Sequence, residues 1–392
     1  MPIPAQALIM GFAITATLAL AGCGGSDTPT VTERSVGSVR LIGQQILPRR
    51  LEFQGTVVGG LSGVDYDALA NRYVFMSDDR TTTDSGNAPR FYTASLSFNE
   101  TAFSGVQFLS TVTMKQPDGS VYPKVPDIKV ADPESVRIDP VSGNLVWTSE
   151  GDRTISATGS RIINPFIREM RADGSHVREY SLPSMFTMAA TETGPRGNLA
   201  FEGLSFTPDK SRAVVIAEGP LYSDGPIPTT SSGAVSRITV FDRGTGAALA
   251  QYAYPVDKVQ AAPDPATAFS VSGATEILAI TNTRFLVLER SFSVGVVGNQ
   301  VRLYEIDIAN ATNVLNTAAL AAGAYAPVSK RLVLDFETLK AQLGGIANLE
   351  GMTFGPKLAN GRDSLVVVAD DNFPTADSTT DRNQILVFEV LP

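Results

Sequence analysis

The sequence predicts an all-β protein, a β-propeller with five blades, and three observations lead to that fold class. After residue 38 the chain consists of short β-branched and aromatic runs that Gly, Pro, Asn and Asp interrupt, with little helical periodicity. A two-strand unit recurs along this part of the chain. Further strand-like runs follow most copies, and units of four antiparallel strands spaced by about 70 residues are typical of propeller blades.

The repeated unit is a hairpin. Its first strand starts with a small residue, usually after Glu, and continues as apolar-x-apolar before a turn; the copies are 61–67, 133–140, 201–208 and 349–356, with a weaker copy at 275–280. Its second strand ends in acidic residues; the copies are 73–79, 145–150, 213–218, 285–289 and 365–371. Ser62 and Asp78, Glu134 and Glu150, and Glu202 and Glu218 are each 16 positions apart. That spacing fits two strands of about six residues and a short turn.

Outer strands complete the predicted blades. The runs 90–98 with 106–114, 166–171 with 177–182, and 237–242 with 248–254 supply third and fourth strands. The last unit has one further strand, 384–390, and the run 38–47 has the pattern of its missing outer strand. Pairing these two ends would close the ring and leave no open sheet edge. Five blades are predicted; six would require the stretch 299–340 to hold a further partial blade.

The hairpin geometry predicts an acidic ring. The start of the first strand and the end of the second lie at the same end of a hairpin, so Glu134 should meet Glu150, and Glu202 should meet Glu218. Radial repetition then collects the carboxylates at one mouth of the central channel. The predicted ring is Asp78, Asp79, Glu134, Glu150, Asp152, Glu202, Glu218, Glu276, Glu289, Glu350, Asp370 and Asp371.

So many like charges require a counter-charge, and oxygen-rich surroundings favour a hard cation, Ca²⁺ before Mg²⁺. The predicted metal ligands are Asp78, Asp79, Glu134, Glu150, Asp152, Glu218, Asp370 and Asp371. The structural alternative is that each carboxylate bonds backbone N–H groups of the neighbouring blade. A mixture of the two roles is expected.

Arginine residues follow several of the acidic strand ends. Arg80, Arg153 and Arg290 lie directly after acidic residues, and Arg382 follows Asp381 in the last long loop. Because guanidinium groups bind phosphate in a bidentate manner, these four are the predicted substrate-binding residues. Surface salt bridges to the adjacent acidic residues are the alternative for each of them.

Composition excludes several functional classes. The formal charge of −9 and the pI near 4.8 argue against a nucleic-acid partner, which would need a basic face. The chain has one His, His176, which falls in a predicted turn, and no G-x-S-x-G motif, so a Ser-His-Asp hydrolase is disfavoured. The scarcity of His and Cys likewise disfavours a zinc site.

The N-terminus predicts a bacterial lipoprotein. An apolar run from Leu8 ends in Leu20-Ala21-Gly22-Cys23, which resembles a lipobox whose Cys carries the lipid. This gives a signal peptide over 1–22, a lipidated Cys23 with a Gly/Ser/Thr-rich tether over 23–37, and a domain over 38–392. An ordinary secretory signal is the alternative. The expected protein is a monomer that contacts the membrane through its lipid only, in the cell envelope, at the outer membrane facing the periplasm or the exterior.

Four short elements resemble the bacterial phytase-like family, described as "esterase-like activity of phytase". They are Asp132-Pro133-Glu134-Ser135, Glu202-Gly203-Leu204-Ser205-Phe206, Glu350-Gly351-Met352-Thr353-Phe354 and Val368-Ala369-Asp370-Asp371-Asn372. The resemblance covers residues 38–392 and implies ester or phosphoester hydrolysis with calcium, although the funnel lacks the Lys residues that phytate would favour. The first hypothesis is a metal-dependent hydrolase in which Glu202 or Glu350 accepts the proton of water. The second is a non-catalytic, lipid-anchored propeller that binds a ligand or a protein.

Overall fold

The computed structural model describes residues 34–80, 85–157, 159–320 and 325–392. The predicted signal peptide, Cys23 and the tether up to residue 33 lie outside the described residues. In chain order the strands are β1 Ser38–Ile46, β2 Leu51–Phe53, β3 Thr56–Val58, β4 Gly63–Asp67, β5 Arg72–Ser77, β6 Arg90–Phe98, β7 Phe103–Thr113, β8 Pro133–Ile138, β9 Leu145–Ser149, β10 Asp152–Ser156, β11 Gly159–Ile163, β12 Phe166–Met170, β13 His176–Glu179, β14 Phe201–Phe206, β15 Arg212–Ala217, β16 Ala234–Asp242, β17 Ala248–Val256, β18 Ser270–Ala279, β19 Arg284–Ser293, β20 Gln300–Asp307, β21 Ser329–Asp335, β22 Asn348–Phe354, β23 Ser364–Asp370 and β24 Gln384–Leu391.

Among the described residues, helical structure is confined to short segments. They are three 3₁₀ turns, Ser184–Phe186, Tyr222–Asp224 and Phe336–Leu339, and the single-turn helix α1, Lys340–Leu343. Within the described ranges, no helix has the length and apolar character needed to cross a membrane.

The strands form five four-stranded antiparallel sheets, which confirms the predicted five-bladed propeller. Blade 1 is β4-β5-β6-β7, blade 2 is β8-β9-β12-β13, blade 3 is β14-β15-β16-β17, blade 4 is β18-β19-β20-β21, and blade 5 is β22-β23-β24-β1. The stretch 299–340 supplies the two outer strands of blade 4 rather than a further blade, so the six-bladed alternative is wrong. Two hairpins, β2-β3 and β10-β11, are additions that the repeat did not predict.

The two chain ends close the ring as the sequence predicted. Strand β1 pairs antiparallel with β24, from Ser38 opposite Leu391 to Ile46 opposite Gln384. The outer strand of blade 5 is therefore N-terminal, whereas the other three strands of this blade are C-terminal. No blade is left with an incomplete sheet, which is how closed repeats avoid an open edge.

The core lies between blades rather than inside a single sheet. Five clusters of buried apolar side chains each combine residues of two neighbouring blades; one example packs Val146 of blade 2 against Leu204 and Val215 of blade 3. Strand β15, the second strand of blade 3, is covered by protein on both faces. It therefore has five consecutive buried residues instead of an alternating pattern.

The innermost strands contain β-bulges at the repeated Glu positions. The pairing register shifts between Pro133 and Val136 in β8 and between Phe201 and Leu204 in β14. Strand β22 has a similar shift just before Gly351. A bulge redirects a side chain locally, and here it brings the Glu side chain to the channel mouth.

The glycine after two of these Glu residues is explained by close approach of the backbones. A Cβ atom on Gly203 would lie 2.4 Å from the backbone nitrogen of Ile277 in blade 4. A Cβ atom on Gly351 would lie 2.4 Å from the carbonyl oxygen of Ser62 beside blade 1. The Glu-Gly pair therefore combines a functional side chain with the backbone contact that closes the channel.

Candidate metal and substrate site

When the blades are aligned by the pairing register of their hairpins, one position at the end of the second strand is equivalent in all five blades. This position holds a carboxylate in blades 1, 2, 3 and 5 and a guanidinium in blade 4. The five residues are Asp78, Glu150, Glu218, Arg290 and Asp370. The equivalent positions of the first strand are Ser62, Glu134, Glu202, Thr275 and Glu350.

Blade 4 thus departs from the pattern by one position. Glu276 occupies the place of Gly203 and Gly351, between blades, and Thr275 takes the place of Glu202. The predicted ring members of this blade are therefore each displaced by one position: Glu276 comes one residue after Thr275, and Glu289 comes one residue before Arg290. The strand register corrects this and puts Arg290 in the ring instead.

Eight carboxylates and two arginines surround the channel mouth, and we call this set the funnel cluster. Its members are Asp78, Arg80, Asp132, Glu134, Glu150, Glu202, Glu218, Arg290, Glu350 and Asp370. Apart from Asp78 and Arg80, which are partly exposed, and Arg290, whose side chain is 14% exposed, all are buried.

Two groups of three carboxylates within the cluster have the spacing of cation ligands. Oxygens of Asp78, Asp132 and Glu134 lie within 4.8 Å of one another, and so do oxygens of Glu134, Glu150 and Glu202. Glu134 belongs to both groups. Two oxygens that bind one Ca²⁺ at 2.3–2.6 Å are at most about 5 Å apart, so both groups fit that ion.

Several carboxylate oxygens in the cluster are buried without a hydrogen-bond partner. They are Oδ1 of Asp78, Oδ2 of Asp132 and Oε2 of Glu218. Because buried polar atoms are normally hydrogen-bonded, such atoms are suited to bind a cation. The chemistry of the set, all oxygen and no sulfur or imidazole, fits a hard cation.

The pKa values of the carboxyl groups reflect the same crowding. Burial raises the pKa of Glu134, Glu150 and Glu202 well above the ordinary value, and repulsion between neighbouring carboxylates raises it further. Burial also raises the pKa of Glu350 to about 7, although the guanidinium of Arg290 acts in the opposite direction. A bound cation would remove much of this penalty.

The two arginines of the cluster hold different parts of it. Arg80 Nε lies 2.9 Å from Oδ1 of Asp132. Arg290 contacts Glu218 at 2.9 Å and Glu350 at 3.2 Å, and it donates a hydrogen bond to Asn348 Oδ1 at 2.6 Å. Arg290 therefore joins blades 3, 4 and 5, and its Nε is buried with no hydrogen-bond partner.

Two residues predicted as metal ligands follow a cluster member directly but bond elsewhere. Asp79 forms a buried ion pair with Arg90 at 2.6 Å. Asp371 accepts hydrogen bonds from the backbone N–H of Gly60 at 2.9 Å and from Asn383 Nδ2 at 2.8 Å. Successive side chains at a strand end point to opposite sides, so Asp78 and Asp370 enter the funnel and their neighbours do not. Their placement in the ring is corrected accordingly.

Three further members of the predicted ring are also engaged away from the cluster. Asp152 pairs with Arg161 across the β10-β11 hairpin. Glu289 contacts Lys330 at 2.5 Å and accepts a hydrogen bond from the Tyr254 hydroxyl at 2.7 Å. Glu276 pairs with Arg137 inside the channel at 2.8 Å. Each has a cationic side chain of its own, which the spacing of the repeat does not reveal.

Of the four predicted substrate-binding arginines, Arg80 and Arg290 lie in the cluster and two do not. Arg153 donates to the carbonyl oxygens of Ala189 and Ala190 at 2.8 and 3.0 Å. Arg382 donates to the carbonyl oxygen of Gly345 at 2.7 Å. Both therefore contact loops outside the cluster, and their role in substrate binding stays a prediction.

Two residues of the site were not predicted from the sequence. Asp132 lies two positions before Glu134, where blades 1 and 3 have Gly60 and Ala200, so the repeat does not predict a carboxylate there. Asn348 lies two positions before Glu350 and donates to it at 2.9 Å. The quoted segment Asp132-Pro133-Glu134 contained the signal for Asp132, namely a second carboxylate beside a ring position.

A pocket of about 430 Å³ opens beside the cluster. Its floor includes Glu218, Arg290 and Asn348. Its walls are formed by apolar side chains of blades 3 and 4 and by polar residues of the predicted loop 372–381; they include Leu199, Ile227, Phe269, Val271, Phe292, Asn372, Thr380 and Asp381. The cluster and the pocket together form one concave site with charge at the bottom and apolar surface at the side.

Fold and site together define a five-bladed β-propeller with an acidic funnel at one mouth. A family model described as "Phytase-like: Esterase-like activity of phytase" matches residues 56–373, so the chain belongs to the phytase-like family. This confirms the resemblance drawn from the sequence motifs. No curated protein matches the chain.

Solved structures similar to this chain are distant. An endo-arabinase from Bacteroides thetaiotaomicron has 10% identity and a TM-score of 0.40, over 86% of this chain and 95% of that one. An exo-β-1,3-galactanase from Phanerochaete chrysosporium has 10% identity and a TM-score of 0.44, over 88% and 64%. A periplasmic gluconolactonase from Pseudomonas aeruginosa has 14% identity and a TM-score of 0.36, over 86% and 90%. Similarity at this level bears on neither substrate nor mechanism.

Proposed function

We propose that this protein is a hydrolase of phosphoesters or related esters that depends on a divalent cation, calcium before magnesium, and acts at the funnel cluster. One observation carries the proposal: buried carboxylate oxygens of Asp78, Asp132 and Glu218 have no hydrogen-bond partner, and Glu218 lies with Arg290 in the lining of a pocket. Buried charges are normally paired or bound to metal, and here eight carboxylates face two guanidinium groups.

The residues that would hold the cation are the two groups that share Glu134. Asp78 and Asp132 complete one group, and Glu150 and Glu202 complete the other. The cluster therefore offers ligands for two neighbouring ions. Calcium is favoured over magnesium because it accepts six to eight oxygens in irregular geometry, whereas magnesium requires a near-ideal octahedron.

A bound cation supplies Lewis-acid activation of the ester and lowers the pKa of water. Arg290 would bind the anionic oxygens of the ester, since its guanidinium lies at the pocket floor. Glu350, 3.2 Å from Arg290, would accept the proton of the attacking water, and Glu202 is the second candidate for that role. The water oxygen bonds to phosphorus, the ester P–O bond breaks, and the alcohol leaves with a proton.

Phosphate release from mono- and diesters by the purified protein, with calcium and with chelator, tests this proposal. We expect calcium-dependent release that falls in Glu202→Gln and Glu350→Gln, with a melting temperature that is not lowered. Glu179→Gln, at an exposed ion pair on the rim of blade 2, is the matched control and should retain full activity. A folded protein that releases no phosphate with calcium would contradict the proposal.

The second candidate is a non-catalytic propeller that binds a ligand or a protein, and one observation favours it. Glu150 Oε1 accepts a hydrogen bond from the backbone N–H of Ala200 in the next blade at 2.7 Å. Arg290 similarly joins Glu218 and Glu350 of two other blades. Part of the cluster thus stabilises the ring. Calcium binding without turnover would support this candidate.

We further propose that the protein is a lipid-anchored monomer of the bacterial cell envelope, at the outer membrane facing the periplasm or the exterior. The lipobox-like segment that ends in Cys23 supports this, and the net charge of −9 disfavours a nucleic-acid partner. Metabolic labelling with a radioactive fatty acid should modify the protein, and Cys23→Ser should abolish the label. Labelling that persists in Cys23→Ser would contradict lipidation at this residue.

A further inference from the structure

The pocket beside the funnel cluster differs from the cluster in its chemistry. Phe269 and Phe292 stand side by side with ring centroids 6.3 Å apart and an interplanar angle of 40°. Val271, Ile227 and Leu199 extend this apolar wall. Phe269 is 62% exposed and forms part of this contiguous apolar wall, and contiguous apolar patches, unlike single exposed side chains, are often ligand sites. An apolar wall next to a charged floor is typical of a site for a substrate with two dissimilar ends.

The charges around the pocket limit what its substrate can carry. Among the described residues that line it, Arg290 is the sole cationic side chain, while Glu218 and Asp381 are acidic. One guanidinium at the floor suits one anionic group. A polyanion would place its remaining charges against Phe269, Phe292 and carboxylates, where they would lose hydration without gaining a partner.

We infer that the pocket selects phosphomonoesters whose alcohol portion is a single flat apolar group, such as a benzyl ring, and discriminates against polyphosphorylated substrates. This inference rests on the proposed hydrolase function and names its substrate class. The phosphoryl group lies at Arg290 and the ring lies against Phe269 and Phe292. The volume of about 430 Å³ is sufficient for a group of that size.

Benzyl phosphate and glycerol 2-phosphate provide the test, because both release an alkyl alcohol and differ mainly in apolar surface. In the calcium-loaded protein we expect kcat/KM to be about tenfold or more higher for benzyl phosphate, the range that apolar pocket contacts supply. Phytate should be a poorer substrate than either. Phe269→Ala should reduce the benzyl preference about tenfold, and Phe269→Tyr should restore it.

Leu69→Ala is the matched control, since Leu69 is fully exposed in the turn between β4 and β5, and it should leave the preference unchanged. Equal kcat/KM for benzyl and glycerol phosphates, or a preference for phytate, would overturn the inference while leaving the hydrolase proposal intact.

Binding of non-hydrolysable phosphonates separates the two proposals. By calorimetry with calcium present, benzylphosphonate should bind about tenfold or more tighter than methylphosphonate, and Phe269→Ala should remove the difference. If no ester is hydrolysed but this difference is found, the pocket assignment holds and the hydrolase proposal fails. If the two phosphonates bind equally, or neither binds, the pocket assignment fails.

Discussion

The funnel cluster and the Glu276–Arg137 pair are two buried acidic regions of the same channel, and they differ in how their charges are compensated. Glu276 contacts Arg137 at 2.8 Å and accepts backbone N–H bonds from Leu204 and Ile277 at 3.1 and 2.9 Å. In the cluster, oxygens of Asp78 and Asp132 are buried without a hydrogen-bond partner. A buried carboxylate alone is therefore no argument for a metal site; the proposed site differs in that some of its buried carboxylate oxygens lack a donor.

The comparison is tested most strongly by removing Glu276. We expect Glu276→Ala to destabilise the protein by roughly 3–5 kcal/mol, because Arg137 would remain buried without its counter-charge. Calcium affinity should be unchanged, since Glu276 belongs to neither ligand group. Denaturant unfolding and calcium titration measure the two effects.

Glu179→Ala removes a half-exposed ion pair with Arg168 and serves as the control, with a cost below about 1 kcal/mol. If Glu276→Ala were no more harmful than this control, or if it weakened calcium binding strongly, the distinction between the two regions would be wrong.

The next largest effect is a pH dependence of the metal-free protein. Burial raises the pKa of Glu276 and Glu350 to about 7, from an ordinary value of 4.5. A carboxyl group with a raised pKa binds its proton more tightly in the folded state, so stability is lost as the pH rises from about 4.5 to about 7. At about 1.4 kcal/mol per pKa unit, each such group would contribute a loss of roughly 3 kcal/mol.

Melting temperatures in chelator should therefore fall between pH 5 and pH 8, and added calcium should reduce the fall. Groups with lowered pKa, such as Asp139 and Asp363, lose their contribution below their ordinary value of 3.8, outside this window. A melting temperature in chelator that is constant or rises over this range would show that the cluster is compensated in the absence of metal.

A smaller effect is expected for the shared ligand. Glu134→Gln should lower calcium-dependent turnover about 100-fold, the upper range seen when the surroundings of a metal are altered. It should also raise the melting temperature in chelator, because it removes one of the repelling charges. Opposite signs for activity and stability distinguish a ligand from a structural residue. Full activity of Glu134→Gln would exclude it from the site.

The sequence was sufficient to predict the fold and most of the cluster. A spacing of 16 positions, found in three of the hairpins, predicted that Glu134 would meet Glu150 and Glu202 would meet Glu218, and the complementary strands at the two ends predicted ring closure. These features depend on the local pairing of two strands in a hairpin, and the chain repeats that hairpin five times.

The remaining features depend on register and on contacts that the repeat does not encode. A shift of one position in β18 and β19 exchanges Glu289 for Arg290 in the ring, and spacing alone does not reveal it. Asp79 forms an ion pair with Arg90, which lies 11 positions later on the next strand. At the position of Asp132 blades 1, 3 and 4 have Gly60, Ala200 and Gly273 and blade 5 has Asn348, so the repeat predicts no carboxylate there and only the distance to Asp78 and Glu134 identifies it.

The last prediction concerns the one blade that places a cation in the ring. Arg290→Gln should raise KM for a phosphomonoester about tenfold, the value of one charge-assisted contact of roughly 1.4 kcal/mol, while kcat changes less. Because the change removes a positive charge next to Glu218 and Glu350, calcium affinity should be retained or increased. Arg40→Gln, which removes a half-exposed guanidinium on the outer strand of blade 5 that pairs with the buried Glu389, should change neither quantity. A fall in kcat at unchanged KM would show instead that Arg290 acts only by positioning Glu350, and the ring would then have no side chain that recognises the anionic end of a substrate.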